Sequence, residues 1–288
     1  MDYTIRAISA DGYVRGFAAL TTDLVQELQR RHFTFPVASA ALGRTATMAS
    51  LLSLTIKDKK ERITIQIKGD GPLGKIVAEA DGDSVIRGYV DNPDVLLPLN
   101  DKGKLDVARA VGQGSLYITR DLGLGTPYQG ASPIVSGELA EDFTYYYSSS
   151  EQTPTSVGLG VLVNRDKIIV SGGYMVQLLP NAPDEVIDVL EERISKITSI
   201  TDLLAKGITP EQLLQQIMGE DARFLDKKDT RFGCTCSREK VKTMLISLGK
   251  KELNAIVKED GQAEIVCHYC NEKYQYNKEE LEEIISSL

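Results

Sequence analysis

Between residues 62 and 90 the chain alternates apolar and polar positions in short runs. Arg62 to Lys68 places Ile63, Ile65 and Ile67 on one face, which predicts a half-buried strand. Lys75 to Ala80 and Val85 to Val90 read as two more strands. The turn clusters Gly69-Asp70-Gly71-Pro72 and Asp81-Gly82-Asp83 separate the three, so the segment is an antiparallel meander. Asp70, Asp81 and Asp83 are read as turn carboxylates. Further strands are expected at 115–120, 158–164 and 167–171, the last two joined as a hairpin through Asn164-Arg165-Asp166. Thr22-Asp23 ahead of Leu24 to Leu28 marks a helix start. Residues 36–56 carry Ala38, Ala41, Thr45 and Ala49 at helical spacing, which predicts a closely packed core helix, and 138–149 reads as another helix. Helices and hairpins mix without regular βαβ alternation, so the fold class is α+β rather than a doubly wound sheet.

The pattern changes after residue 180. Pro183-Asp184-Glu185 opens a helix with an acidic first turn. Ile187, Leu190, Ile194, Ile197 and Leu204 form an apolar stripe along it, broken only by Thr201, and Gly207 ends it. Thr209-Pro210-Glu211-Gln212 starts a second helix as a capping box with proline at its first position, and Gly219 stops it. Residues 221–231 read as a charged connector. The expected organisation is an α+β core domain with antiparallel sheet over 1–180, a helical linker over 181–230 and a small C-terminal module over 231–288. No internal repeat or low-complexity tract interrupts it.

The C-terminal module holds every cysteine of the chain: Cys234 and Cys236 as C-x-C, Cys267 and Cys270 as C-x-x-C. Around them the pattern predicts a helix at 238–248 ended by Gly249, a second helical piece at 251–259, strands at 262–266 and 274–276, and a final helix at 278–286. A module this small does not close a self-sufficient apolar core. Four thiolates suit the tetrahedral shell of one Zn²⁺, whose binding would supply the missing folding energy. Metal-held thiolates are also what oxidants attack. Conversion to local disulfides would eject the metal while closing only short loops, which restores little constraint. Spacing alone leaves two readings open, a permanent structural zinc site and a thiol switch. His268 is a candidate replacement for one ligand, and His32 is read as structural.

Net charge is −8, with six basic and eleven acidic residues in 181–230 and nine basic and ten acidic in 231–288. No segment is basic, which disfavours a nucleic-acid partner. There is no long apolar run for a membrane span and no signal-like N-terminus, so a cytoplasmic protein is expected. In that compartment paired cysteines favour metal or redox chemistry over structural disulfides. A thiol-disulfide oxidoreductase built on Cys267 and Cys270 is the enzymatic alternative, and a zinc-dependent nucleic-acid binder the other. The oxidoreductase reading lacks the expected helix N-terminus after the motif. No G-x-S-x-G is present, and Gly123-Leu124-Gly125 is read as a loop rather than a dinucleotide fingerprint. An enzyme is not expected.

Several stretches carry a resemblance: Phe232-Gly233-Cys234-Thr235-Cys236-Ser237-Arg238, Cys267-His268-Tyr269-Cys270-Asn271, Ser136-Gly137-Glu138-Leu139-Ala140-Glu141-Asp142 and Gly172-Gly173-Tyr174-Met175-Val176-Gln177. With Arg87-Gly88-Tyr89-Val90, Asp121-Leu122-Gly123 and Ser150-Glu151-Gln152, they resemble the thirty-three-kilodalton heat-shock chaperonin family, the redox-regulated holdases of bacteria, over nearly the whole chain. The resemblance implies an inactive reduced form with one Zn²⁺ on Cys234, Cys236, Cys267 and Cys270. It implies that oxidative stress pairs Cys234 with Cys236 and Cys267 with Cys270, releases zinc, and unfolds the C-terminal module and loosens the linker. The activated protein is then expected to form a homodimer and hold unfolding client proteins without ATP, passing them later to an ATP-dependent chaperone system. Ile187, Leu190, Ile194 and Ile197 become the candidate client-binding surface, since the stripe needs a cover in the folded state.

Overall fold

The computed structural model describes residues 1–288 except Leu124 and Asp166. In chain order, β1 (Tyr3–Ile8) and β2 (Val14–Leu20) precede the helices α1 (Thr22–His32) and α2 (Pro36–Ser53). The meander follows as β3 (Arg62–Gly69), β4 (Lys75–Asp81) and β5 (Val85–Val90), then α3 (Val107–Val111), β6 (Gly114–Asp121), β7 (Tyr128–Pro133) and α4 (Ala140–Ser149). β8 (Thr155–Asn164), β9 (Lys167–Leu178), α5 (Asp184–Ser195), α6 (Ile200–Ala205), α7 (Pro210–Met218), β10 (Arg223–Asp229) and β11 (Arg231–Phe232) complete the larger of two compact units, Met1–Gly233. The smaller unit, Cys234–Leu288, holds α8 (Arg238–Glu259), β12 (Ala263–Val266), β13 (Lys273–Tyr276) and α9 (Lys278–Ser286).

Two sheets organise the larger unit. One runs β10-β1-β2-β9-β8 and is antiparallel throughout. The other runs β11-β5-β4-β3-β6-β7 and is antiparallel except where β11 joins β5. The expected α+β class and the central meander are therefore present. The small residues of α2 explain the middle of the fold. Nearly all its side chains are buried, and the helix touches strands of both sheets. Its hydroxyls would be costly there, but Thr45, Thr47 and Ser50 each donate to the carbonyl four residues back. The core around it includes Phe17, Leu42, Ile65, Ile67 and Phe143.

The opposite face of the first sheet carries a second apolar cluster. Ile5, Val14 and Val170 meet Leu190, Ile200, Leu204, Leu213, Leu214 and Ile217 from α5, α6 and α7. Two glycines set this seat. A Cβ on Gly16 would stand 2.3 Å from Met218 Sδ and 2.9 Å from Leu214 Cδ2, so α7 lies almost on the β2 backbone. A Cβ on Gly172 would stand 2.7 Å from Leu204 Cδ1 and 2.4 Å from the Ala19 carbonyl. That glycine lets α6 and β2 approach β9 together, and β9 runs through it to Leu178 instead of ending at residue 171.

Three further expectations need correction. The stripe expected along one helix to Gly207 lies on two, because Ser199 turns outward to cap α6, its hydroxyl accepting from the Asp202 N–H at 3.2 Å. Residues 221–231 are not a connector. They form β10 on the free edge of β1 and β11 on the free edge of β5, and Gly233 donates to the Ile86 carbonyl. The helix expected from 138 begins at Ala140. The expected hairpin of β8 and β9 is present, although Asp166 in its turn lies outside the described residues, as does Leu124 of the Gly123-Leu124-Gly125 loop. Asp81 acts as a turn carboxylate, whereas Asp70, in its own turn, reaches a donor 43 residues away. Asp70 accepts from the Gln113 N–H, and Asp81 from those of Asp83 and Val85.

Where β10 runs into β11, a line of buried hydroxyls closes the seam. Thr4 and Thr230 Oγ1 lie 2.8 Å apart, Thr230 and Ser84 3.0 Å, and Ser84 and Ser53 2.9 Å. Phe232 is half-buried beneath the Arg31 guanidinium, 4.4 Å from its ring centre.

Asp142, fully buried at the start of α4, accepts from the backbone N–H groups of Val135 (2.8 Å), Ser136 (2.8 Å) and Leu139 (3.0 Å). Removing it leaves three backbone donors without their acceptor, that of Leu139 fully buried. Asp142→Ala is expected to lower stability by about 2–4 kcal/mol, read as an earlier denaturant midpoint at unchanged slope.

Candidate metal centre

Each cysteine pair is placed by a tight local structure. Cys236 stands just before α8, whose N-cap Ser237 accepts from the Lys240 N–H at 3.3 Å, and Lys240 Nζ returns to the Thr235 carbonyl at 2.6 Å. Cys267 and Cys270 lie in the loop joining β12 to β13. The Cys267 N–H donates to Glu272 O at 2.9 Å and its carbonyl accepts from the Asn271 N–H at 2.8 Å. Asn271 takes a left-handed conformation (φ 59°), which asparagine tolerates better than most residues. α8 is broken at Gly249 (φ 82°, ψ 165°), as its sequence predicts. Behind the cysteines the core is small: Val241, Leu245, Leu253, Tyr276, Leu281 and Ile284. Arg238 stacks 4.3 Å above Tyr276 and pairs with Glu280 at 2.6 Å, tying α8 to β13 and α9.

The four Sγ atoms all lie within 4.8 Å of one another, with Cys270 buried and the others half-buried. Two separations cross between the motifs, 3.7 Å for Cys234–Cys267 and 3.2 Å for Cys236–Cys270. A tetrahedral shell with metal–sulfur bonds of about 2.3 Å spaces its sulfurs about 3.8 Å apart. The donor set and its size therefore fit one tetrahedral, thiophilic metal ion, so this is a possible metal site. His268 is outside the cluster. Tyr274 Oη donates to Cys236 Sγ at 3.1 Å, a contact that sequence reading did not single out. Tyr274, two residues from Tyr276 on β13, lies on the same face of the strand, a period-2 signal that could have drawn attention to it.

Electrostatics makes the cluster dependent on a cation. Burial pushes the Cys234 thiol up, but hydrogen bonds from Cys236, Cys270 and Cys267 outweigh it and leave the group below its ordinary value. Burial pushes Cys267 and Cys270 above theirs, Cys270 strongly. Tyr274 is pushed up by its bond to the Cys236 sulfur and by burial. One thiolate is favoured and further ones are resisted, as expected for like charges gathered away from water. Neither cysteine of the C-x-x-C has the lowered pKa that a disulfide-exchange catalyst needs, and no helix begins at that motif.

The proposed client stripe is divided by depth. Leu190 is buried in the second cluster, and Ile194 and Ile197 pack against it. Ile187 is half-buried outside that cluster, and Val186 takes the place expected for it. No helix among the described residues is long and apolar enough to cross a membrane.

The family model for the Hsp33 protein matches residues 2–277. The chain belongs to the Hsp33 family. A 33 kDa chaperonin of Bacillus subtilis is 51% identical over 284 residues, covering 98% of this chain and 97% of that protein. A 33 kDa chaperonin of Staphylococcus aureus is 49% identical over 290 residues, covering 100% of this chain and 99% of its own length. The crystal structure of the 33 kDa chaperonin of Thermotoga maritima superposes with a TM-score of 0.94 at 40% identity, covering 99% of this chain and 98% of that one. This Hsp33-family chain is thus a heat-shock chaperone, and its four-cysteine cluster is the feature through which redox state can reach the fold.

Tyr274→Phe removes the O–H···S bond and leaves the four sulfurs in place. It is expected to weaken metal affinity about tenfold to a hundredfold, read by competition with a chromogenic chelator under reducing conditions.

Proposed function

We propose that this chain is a redox-regulated, ATP-independent holdase whose reduced form carries one Zn²⁺ on Cys234, Cys236, Cys267 and Cys270. The observation that carries the reading is the gathering of all four thiols of the chain within 4.8 Å in a unit with a small core. Zn²⁺ would supply a tetrahedral cross-link between the two cysteine motifs and neutralise their charge, a contribution of about 10–16 kcal/mol in comparable small modules. Oxidation of four thiols to two disulfides gives up four electrons, for which two equivalents of peroxide suffice, with water as the product. The family resemblance assigns the pairs as Cys234–Cys236 and Cys267–Cys270. Bridges of that kind close short loops and leave the two motifs unconnected, so the small unit loses the link between them.

The linker part of the proposal rests on graded burial. α7 is anchored by Leu213, Leu214 and Ile217, all fully buried, whereas α5 has only Leu190 below the surface and leaves Val189 exposed. A cleft of about 520 Å³ lies between α5 and the sheet, lined by Ser9, Asp11, Val14, Arg193, Ile217 and Met218. α5 is thus the weakest seat of the three linker helices and the first to lift, offering Leu190, Ile194 and Ile197, with Ile187 beside them, to unfolding proteins. A cytoplasmic setting would keep the thiols reduced between stresses. A homodimer on activation and later transfer of clients to an ATP-dependent chaperone system complete the proposed cycle.

Peroxide treatment with mild heat is expected to release about one zinc per chain, and only the treated protein should suppress aggregation of a heat-unfolded client. Zinc retained under strong oxidant, or best activity with zinc bound, would overturn the switch. A second measurement addresses the stripe. Leu190→Ser with Ile194→Ser, oxidised beforehand, should hold clients at least about threefold less well, whereas undiminished holding would remove the stripe as the client site.

A further inference from the structure

The inner end of the larger unit's core is polar in a way that chaperone function does not explain. Arg6 pairs with Phe17 across β1 and β2, and Arg15 pairs with Gln177 across β2 and β9. Paired residues share a face, so all of them lie on the side of the sheet that carries Phe17 into the larger core. Arg120 follows the core residues Leu116 and Ile118 at two-residue spacing on β6, placing it on the inward face of the second sheet. Arg6 and Arg120 are near enough to Arg15 to act on its charge, and Arg15 and Arg120 near enough to act on Tyr147 of α4.

Their partners do not balance their charge. Arg6 is paired with Asp226 of β10. Arg15 donates to the neutral Gln177 Oε1 at 2.7 Å, and Arg120 to the neutral Thr55 Oγ1 at 3.1 Å; among the described residues neither forms an ion pair. Glu151, the other nearby carboxylate, accepts from the Tyr146 hydroxyl at 2.8 Å. Three atoms here are buried with no hydrogen-bond partner among the described residues: Arg6 Nε, Arg15 Nε and the Tyr147 hydroxyl. Tyr147 is only 4% exposed. The two guanidinium atoms are donors, the hydroxyl can donate as well, and buried donors left without an acceptor are normally unfavourable.

We propose that Arg6, Arg15 and Arg120, with the Tyr147 hydroxyl, form a binding site for a small free oxyanion of the phosphate or sulfate class. Such an anion supplies what the site lacks: several acceptor atoms and negative charge between groups that otherwise repel. Burial and the charges of Arg6 and Arg120 disfavour the protonated Arg15, consistent with an uncompensated cation there. The three arginines are only partly buried, which leaves a path from solvent.

The test uses the full-length reduced protein and inorganic phosphate or sulfate as the probe, titrated calorimetrically at ionic strength matched with chloride. One saturable site is expected. Arg15→Gln should weaken it at least about tenfold and Tyr147→Phe about threefold to tenfold, while Arg109→Gln, on α3 outside the site, should bind like wild type. Should Arg15→Gln fail to fold, the near-isosteric Tyr147→Phe decides the matter alone. Heats indistinguishable from chloride, or unchanged affinity in Tyr147→Phe, would mean an adventitious ion only and overturn the proposal.

Discussion

Four sulfur atoms within 4.8 Å of one another cannot all carry charge in a half-buried pocket unless a cation sits among them. This electrostatic constraint governs the C-terminal unit. Its apolar core is a handful of side chains behind α8, β13 and α9, reinforced where Arg238 meets Tyr276 and Glu280, and its cysteine motifs belong to separate stretches of chain. A metal ion turns mutual repulsion into a cross-link. Without the ion, the same sulfurs favour protonation or oxidation. With such an ion in place, the fold of the unit and the chemical state of its thiols would be one variable, which is the property a chemical sensor needs.

The larger unit answers with a different design. Its main core is filled on both sides of α2, where small residues bring two sheets close. α5, α6 and α7 lie on the outer face of one sheet, over a second and smaller cluster. Depth falls from α7 through α6 to α5. A helix with one buried side chain is held by a few kcal/mol at most, whereas α7 is locked by the absence of a side chain at Gly16. Stability is thus distributed unevenly along this face, and α5 carries least of the load.

Much of this was legible in the sequence, and the failures have physical causes. Ile63, Ile65 and Ile67 alternate because one face of β3 is buried, and the cysteine spacing marks its own chemistry. β10 was hidden because its sequence, Arg-Phe-Leu-Asp-Lys-Lys-Asp, is exposed at nearly every position; it is a strand through pairing with β1, not through burial. β9 was cut short because glycine usually signals a turn, whereas Gly172 serves close approach. In the helical segment, periodicity identified the buried face but missed the break at Ser199 and chose Ile187 where Val186 is used. Tyr274 was read only as part of a strand, since its contact with Cys236 spans two elements. The grouping of Arg6, Arg15, Arg120 and Tyr147 was beyond any linear pattern, because each comes from a different element.

The seam of hydroxyls at Thr4, Thr230, Ser84 and Ser53 bears on reversibility. An interface closed by apolar side chains is sticky once opened and invites the wrong partner. One closed by alcohol groups is different: water can take over each hydrogen bond as it parts, and give it back as it closes. The strands that lead into the cysteine unit are thus fastened by contacts that can be undone without leaving an adhesive scar. Such a fastening sits at the point where the two units join in sequence.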